Sequence, residues 1–255
     1  MGQGMKAAER QLRLRQLFED QEFADLETLS RLLGTSESSV RRDLTALEKE
    51  GVVRRVHGGA LAAQSRGHLL DFDWQRERMA DEKRRIAQAT AKLIDDAQTV
   101  LLDGGSTVAA VARELLDRPL HVMTNSLPIA DTFKDARQAE VTLTGGFLYP
   151  RLGVMLGPLC EQMLARVAAD VLVMGIGGVT EAGLSNNNTL IVGSERKMIE
   201  VSRKVVIVAD HSKFGHPAMV PLAPLAAAHV VVSDTALAPQ FQQMLRAHGL
   251  TVVLV

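Results

Sequence analysis

The stretch SSVRRDLTALEKEGVVRRVHGG, residues 38–59, holds two arginine doublets, Arg41–Arg42 and Arg54–Arg55, in a chain of formal net charge −1. On a helix turning about 100° per residue, Ser38, Arg42, Thr45 and Lys49 fall on one line, with Val40, Leu44 and Leu47 opposite and Arg41 on the flank. Hydroxyl side chains bond several kinds of base edge, and arginine reads guanine with two hydrogen bonds or grips phosphate, so this face suits a DNA major groove. The segment GVVRRVHGG that follows combines β-branched residues, no acid and a glycine turn. It reads as a small hairpin wing that lays Arg54, Arg55 and His57 on the DNA backbone. Glu37, Asp43, Glu48 and Glu50 lie close enough to neutralise part of the cluster, which leaves a protein-docking face as the alternative.

A second group of small polar residues recurs later: DGGST (103–107), TNS (124–126), TGG (144–146), GIGG (175–178) and ADHSKFG (209–215). Each follows a short aliphatic run, and ligands of open α/β sheets bind beyond the carboxyl ends of such strands. Small residues let backbone N–H groups approach an anion, Ser and Thr add donors, and helix N-termini add positive potential, so a phosphate is the natural guest. Lys213 is placed to neutralise it, while Asp103 and Asn125 suit sugar hydroxyls. Thr180 stands where a G-x-G-x-x-G fingerprint needs its last glycine, and no Walker A pattern occurs, so no nucleotide cofactor is indicated. His211 and His216 have no third His or Cys nearby in sequence and read as structural or solvent-facing, not as a metal site.

These residues need elements to hold them. Leu12, Leu14, Leu17 and Phe18 give a first helix over residues 9–18. Asp25 caps a second, whose Leu26, Leu29, Leu32 and Leu33 share a face and which Gly34 stops; Ser36 caps a third, running to about Glu50 before Gly51. Two short helices joined by a tight turn make a helix-turn-helix. Residues 61–80 lose periodicity and read as a linker between residues 1–60 and a larger domain, 81–255. In that domain helices alternate with QTVLLD, LHVMT, AEVTLTG, DVLVMGI, KVVIVAD, HVVVSD and LTVVLV. Unbroken aliphatic runs are buried on both faces, which predicts an α/β domain built on a mainly parallel sheet. The 46% hydrophobic content supports such a core, and a single cysteine, Cys160, rules out internal disulfides and points to the reducing cytoplasm. Neither a signal peptide nor a membrane span is legible.

Residues 29–60, with a Ser-rich helix start, Arg-Arg-Asp-Leu and a wing ending Arg-x-His-Gly-Gly-Ala, resemble the winged helix-turn-helix of the deoxyribose-operon repressor (DeoR) family of bacterial regulators. The resemblance places DNA contacts on Ser38, Ser39, Arg41, Arg42, Arg54 and His57. It extends over nearly the whole chain, because that family's sensor domain carries an Asp-x-Gly-Ser-Thr, a Thr-Asn-Ser, a Gly-Gly pair and an Asp-x-Ser-Lys-Phe-Gly. The implied sensor fold resembles ribose-phosphate isomerase and CoA-transferase-like proteins, and the implied effector is a phosphorylated sugar or sugar intermediate. The implied effector site comprises Asp103, Gly105, Ser106, Thr107, Thr124, Asn125, Ser126, Gly145, Gly146 and Lys213. Residues 183–199 match the family only loosely. The expectation is a transcriptional repressor of a carbohydrate operon, acting on double-stranded operator DNA as a homodimer or homotetramer, without cofactor and without turnover. The rival from another class is a sugar-phosphate isomerase with an accessory N-terminal domain, using Asp103, Glu195 or Asp210 as general base.

Overall fold

The computed structural model describes residues 7–20, 23–56, 59–62 and 72–255. The chain divides between residues 71 and 72 into two compact units. In the first, α1 (Ala7–Asp20), β1 (Phe23–Asp25), α2 (Leu26–Leu33) and α3 (Glu37–Lys49) lead into β2 (Val53–Val56) and β3 (Gly59–Ala62). The helix starts follow from their caps: Asp25 accepts the Thr28 N–H at 2.8 Å, and Ser36 accepts that of Ser39 at 3.4 Å. Leu14, Phe18, Leu29, Leu33, Val40, Leu44, Leu47 and Val53 form the core of this unit. β1 joins the β2–β3 hairpin as a third antiparallel strand in the order β1-β3-β2, an element absent from the sequence reading because three residues give no detectable alternation. Asp43, on α3, turns inward rather than toward the basic face: it is buried and takes Arg10 Nε at 2.7 Å, with Gln11 Nε2 at 3.4 Å.

The second unit holds α4 (Phe72–Glu77), α5 (Ala80–Ala91), β4 (Thr99–Leu102), α6 (Ser106–Glu114), β5 (His121–Thr124), α7 (Leu127–Thr132), β6 (Glu140–Leu143), the hairpin β7 (Phe147–Tyr149) and β8 (Val154–Leu156), α8 (Pro158–Leu164), β9 (Ala169–Met174), β10 (Gly178–Thr180), β11 (Gly183–Asn186), α9 (Thr189–Glu200), β12 (Ser202–Val208), β13 (Val220–Ala223), β14 (Val230–Ser233), α10 (Pro239–Ala247) and β15 (Thr251–Leu254). All seven aliphatic runs pair as one sheet in the order β15-β14-β12-β9-β4-β5-β6, every ladder parallel. Alternate residues of these strands face opposite layers. Leu101, Leu172, Met174, Val205 and Ile207 pack with Cys160, Leu164, Met198 and Leu245 of α8–α10; Val100, Leu102, Val171, Val173 and Val206 pack with Ile86, Val108, Val111 and Ile129 of α5–α7. The architecture is a three-layer α/β unit, with β10, β11 and β13 as a small antiparallel sheet.

The boundary differs from the sequence reading. β3 continues to Ala62, and helical structure resumes at Phe72, so residues 72–80 belong to the second unit and not to a linker. The charged run DFDWQRERMADEKRR hides the helical period, because its anchoring contacts come from other elements. Residues 63–71, also assigned to the linker, lie outside the described residues.

Removing one member of a buried ion pair strands the other, at about 3–5 kcal/mol when both are fully buried. Arg10 retains some exposure, so Asp43→Ala should destabilise the first unit by about 2–4 kcal/mol, read as a lowered urea midpoint, whereas Glu27→Ala, in the exposed pair with Arg31, should change it by under about 1 kcal/mol.

Candidate functional site

In the first unit, α3 presents Ser38, Arg41, Arg42 and Lys49 to solvent, with Ser39 and Thr45 half-buried beside them. The four acids that shadow this cluster in sequence are engaged. Asp43 holds Arg10, Glu37 pairs with Arg41 at 3.3 Å, Glu48 pairs with Arg55 at 3.3 Å, and Glu50 pairs with Arg15. Among the described residues, no carboxylate lies within ion-pair distance of Arg42 or Lys49; Arg42 Nε reaches only the Ser38 carbonyl, at 3.4 Å. Arg55 donates to the Thr45 hydroxyl, which itself donates to the Arg41 carbonyl at 2.7 Å, and the Arg55 N–H donates to Glu48 at 2.8 Å. These contacts tie the wing strand β2 to α3. Thr45 and Arg55 are thus partly committed to each other, which the helical wheel did not foresee. Ser38 and Ser39 both lie within hydrogen-bond distance of the capping Ser36 hydroxyl, at 2.9 and 3.1 Å. The Arg54 side chain and the whole of His57 lie outside the described residues.

In the second unit the strand order reverses at β4: the chain moves to β5 and β6 on one side, then returns to β9 on the other. The carboxyl ends of β4 and β9 therefore bound a crevice at the switch point. Asp103 follows β4, buried, and the backbone N–H groups of Gly104 and Gly175 partly offset the effect of burial on its carboxyl. Gly105 follows with φ +126° and open space where a Cβ would stand, and α6 begins there with no side-chain cap. Its first N–H groups, with half-buried Thr107 and mostly buried Ser106, make an anion-attracting terminus.

The other sequence-predicted residues divide into contacts and scaffolding. Thr124 and Ser126 are fully buried; the Thr124 hydroxyl accepts the Ser126 N–H at 3.0 Å, and Ser126 caps α7 at the Ile129 N–H. Both hydroxyls accept backbone N–H groups and so shape the turn, and their full burial sets them behind the exposed surface of the loop. Asn125 between them donates Nδ2 to the Met155 carbonyl at 3.2 Å, leaving its buried Oδ1 without a partner. Gly146 is a packing residue, since a Cβ there would lie 2.6 Å from the Leu156 carbonyl oxygen. Gly145 is exposed and open, but β6 and β12 are four ladders apart, roughly 19 Å at the usual strand spacing. That spacing sets only where the loop after β6 begins; Gly146 itself packs on Cys160 of α8, whose thiol feels the Asp103 charge. Gly177 and Gly178 of GIGG likewise serve packing, a Cβ at Gly178 meeting the His216 carbonyl oxygen at 2.3 Å, whereas Gly175 has room for one.

Two charged groups join the crevice. Lys83, on α5, is buried, donates to the Gln75 carbonyl, and is pulled down to about 8 by desolvation; Asp210 opposes the shift, while Lys213 and Arg78 add to it. It was hidden in the run DEKRR, where a lysine reads as a solvated face. Glu195, on α9, is 1% exposed, and its carboxyl is raised well above the ordinary range by burial and by the Asp103 charge. Asn186 Nδ2 donates to its Oε1 at 2.5 Å, while Oε2 is buried without a partner. Burial raises Asp103 in turn, to about 7. Lys213 is half-buried on a 3₁₀ turn anchored at both sides: Asp210 accepts the Ser212 N–H at 3.0 Å, and Asp234 accepts the His211 N–H at 2.7 Å and lies 2.9 Å from His211 Nδ1. Among the described residues no group of three or more His, Cys, Asp and Glu is arranged to hold a metal ion, and no helix is long and apolar enough to cross a membrane.

A helix-turn-helix with a basic wing and an α/β unit with an anion-attracting crevice define a DNA-binding regulator with a ligand-sensing domain. Residues 10–66 match the model of the DeoR-like helix-turn-helix domain, and residues 78–235 that of the DeoR C-terminal sensor domain. The chain belongs to the DeoR family of transcriptional regulators. It is 33% identical over 251 residues to the HTH-type transcriptional regulator GlpR of Haloferax volcanii, covering 98% of each chain. It is 31% identical over 252 residues to the glycerol-3-phosphate regulon repressor of Escherichia coli, covering 98% of this chain and 100% of that one. Among solved structures it is similar to ribose 5-phosphate isomerase A of Methanocaldococcus jannaschii, with a TM-score of 0.40, 18% identity, and coverage of 53% of this chain and 54% of that one.

Between the ordinary carboxylate range and about 7, folded Asp103 keeps a proton that the unfolded chain releases. Stability from this group is therefore fully present at low pH and is lost as pH rises through 7. The second unit's melting temperature should fall from pH 5 to pH 8, and Asp103→Asn should flatten that decline in differential scanning calorimetry.

Proposed function

We propose that this regulator represses a carbohydrate operon and that a phosphorylated sugar or sugar intermediate, bound at the β4–β9 crevice, changes its affinity for operator DNA. The DNA half of this reading is supported by α3, whose exposed Arg42 and Lys49 carry no ion pair, beside exposed partners that phosphate can displace at little cost because surface pairs are weak. The observation that carries the sensor half is Lys83: a lysine buried on α5 near both Asp210 and Lys213, pulled down to about 8 by desolvation, whose charged form a bound phosphate would stabilise. α5 packs along α6, so a phosphate there would face both lysines and the uncapped helix start. The relatives' names agree, one being a repressor of a glycerol-3-phosphate regulon. Effector control requires unequal affinity for DNA-competent and DNA-incompetent states. One helix-turn-helix reads too few base pairs for genomic specificity, so a dimer or tetramer on paired half-sites is proposed. The buried carboxylates Asp103 and Glu195 would also serve an aldose–ketose isomerase; sugar-phosphate turnover by the purified protein would favour that second reading.

Arg42→Ala should weaken binding to a duplex selected from a random pool by about 1–3 kcal/mol, measured by fluorescence anisotropy; unchanged affinity removes Arg42 from the interface. Lys83→Ala and Lys213→Ala should keep DNA affinity while abolishing the thermal shift given by a sugar-phosphate panel. Because a phosphate raises Lys83 from about 8, wild-type binding at pH 8 should take up protons, seen calorimetrically as a buffer-dependent enthalpy that Lys83→Ala removes.

A further inference from the structure

The second unit opens with a helix too short to stand by itself. α4 (Phe72–Glu77) has six residues, and isolated helices of that length are not stable in water. Its order therefore depends on its neighbours, and two tethers hold it. At its start the Phe72 N–H donates to the Arg151 carbonyl, in the turn of the β7–β8 hairpin, at 3.1 Å, and the half-buried Phe72 side chain packs on the core beneath α5–α7. Toward its end the buried Lys83 ammonium donates to the Gln75 carbonyl. Between α4 and α5, Met79 holds φ +54°, a left-handed backbone that a residue with a Cβ keeps only where its surroundings impose it. Both tethers lead to the crevice. Val154 of the hairpin comes so close to Gly104 that a Cβ there would lie 2.3 Å from its Cγ1. The Met155 N–H donates to the Asn125 carbonyl at 2.7 Å, and the Met155 carbonyl accepts Asn125 Nδ2 at 3.2 Å. Lys83 is the lysine that the sensor reading gives to a phosphate, with Asp210, Lys213 and Arg78 acting on its charge. α4 also packs along α6, the helix with the open start.

We propose that α4 is a coupling helix: an anion bound at Lys83 fixes α4 on the second unit, and the fixed and the loosened helix give the protein different affinities for operator DNA. The coupling rests on the sensor reading, because it needs a phosphate at Lys83, and adds how occupancy reaches the DNA-binding unit, to which the chain connects through residue 71. Holding an ammonium out of water against one carbonyl costs desolvation, which the empty site leaves largely uncompensated. A phosphate compensates it without taking the ammonium from Gln75, since lysine carries three donors. Clamping of α4 and binding of the anion therefore favour each other, and by reciprocity a change that loosens α4 also weakens the anion's hold. A short helix kept in place by two contacts belongs to the least stable part of a fold, where a ligand at one contact changes its order most.

The test is hydrogen exchange of the full chain, followed by mass spectrometry, with glycerol 3-phosphate, ribose 5-phosphate and inorganic phosphate as probes and thermal shift as the separate sign of binding. A probe that raises the melting temperature should slow the amides of residues 73–78 on the order of tenfold and leave those of α10 unchanged. With no probe present, Lys83→Met, which keeps an apolar stem and loses the ammonium, should speed the same amides about tenfold. Phe72→Ala should still bind the probe, more weakly, while the probe no longer alters its affinity for a duplex selected from a random pool, read by fluorescence anisotropy. A probe that raises the melting temperature yet leaves residues 73–78 unchanged would overturn the coupling and leave the sensor reading intact. Wild-type exchange rates in Lys83→Met, or a wild-type DNA response in Phe72→Ala, would do the same. Failure of every probe to shift the melting temperature would overturn the sensor reading and the coupling together. Exchange in the wild-type chain decides the matter even if neither variant folds.

Discussion

All seven strands of the larger unit's main sheet run the same way, so each delivers its carboxyl end to one edge of that sheet. Parallel pairing forces each connection to cross back over a face, usually as a helix, and the helix starts therefore gather at that same edge. The reversal at β4 then opens the one place where adjacent loops diverge instead of covering each other. Asp103, the start of α6 and Gly175 sit together because of this reversal, though more than sixty residues of chain separate β4 from β9. Lys83 reaches the same edge from a helix that precedes the first strand of the sheet.

The two units use charge in opposite ways. On α3 the arginines are exposed, and their partners Glu37 and Glu48 are loosely held in water, where an ion pair is worth little and DNA phosphate can replace it. In the second unit, charge is taken out of water: Lys83, Asp103 and Glu195 are each shifted toward the neutral form by burial. Such buried ionisable groups oppose folding, and any ligand that stabilised their charged forms would raise the stability of the fold by mass action.

Much of the fold could be read from residues alone. The seven aliphatic runs all became strands of one sheet; the inner strands are apolar because both their faces are buried, whereas the edge strand β6 is largely exposed and departs from that expectation. The caps Asp25 and Ser36 set the starts of α2 and α3, because capping is a contact between residues three apart in sequence. Short strands such as β1, β7 and β10 escaped notice, as three residues carry no period. The candidate site was legible in part: loops rich in Gly, Ser and Thr gather at one edge of the sheet, but composition could not separate Asn125, whose Oδ1 has no partner, from Thr124 and Ser126, whose hydroxyls accept backbone N–H groups within the turn.

Local chemistry, then, settled from sequence what depends on neighbours along the chain: helix starts, buried strands, the basic line on α3 and the family to which the chain belongs. Only the tertiary structure decided what depends on distance through space. Packing of α1 on α3 turned Asp43 into a buried partner of Arg10. Packing on the sheet brought Lys83 and Glu195 into the crevice, from helices on opposite faces. Burial and through-space electrostatics have no period in sequence; they arise when the sheet closes under its helices, and they set the charge of the groups that would meet a ligand.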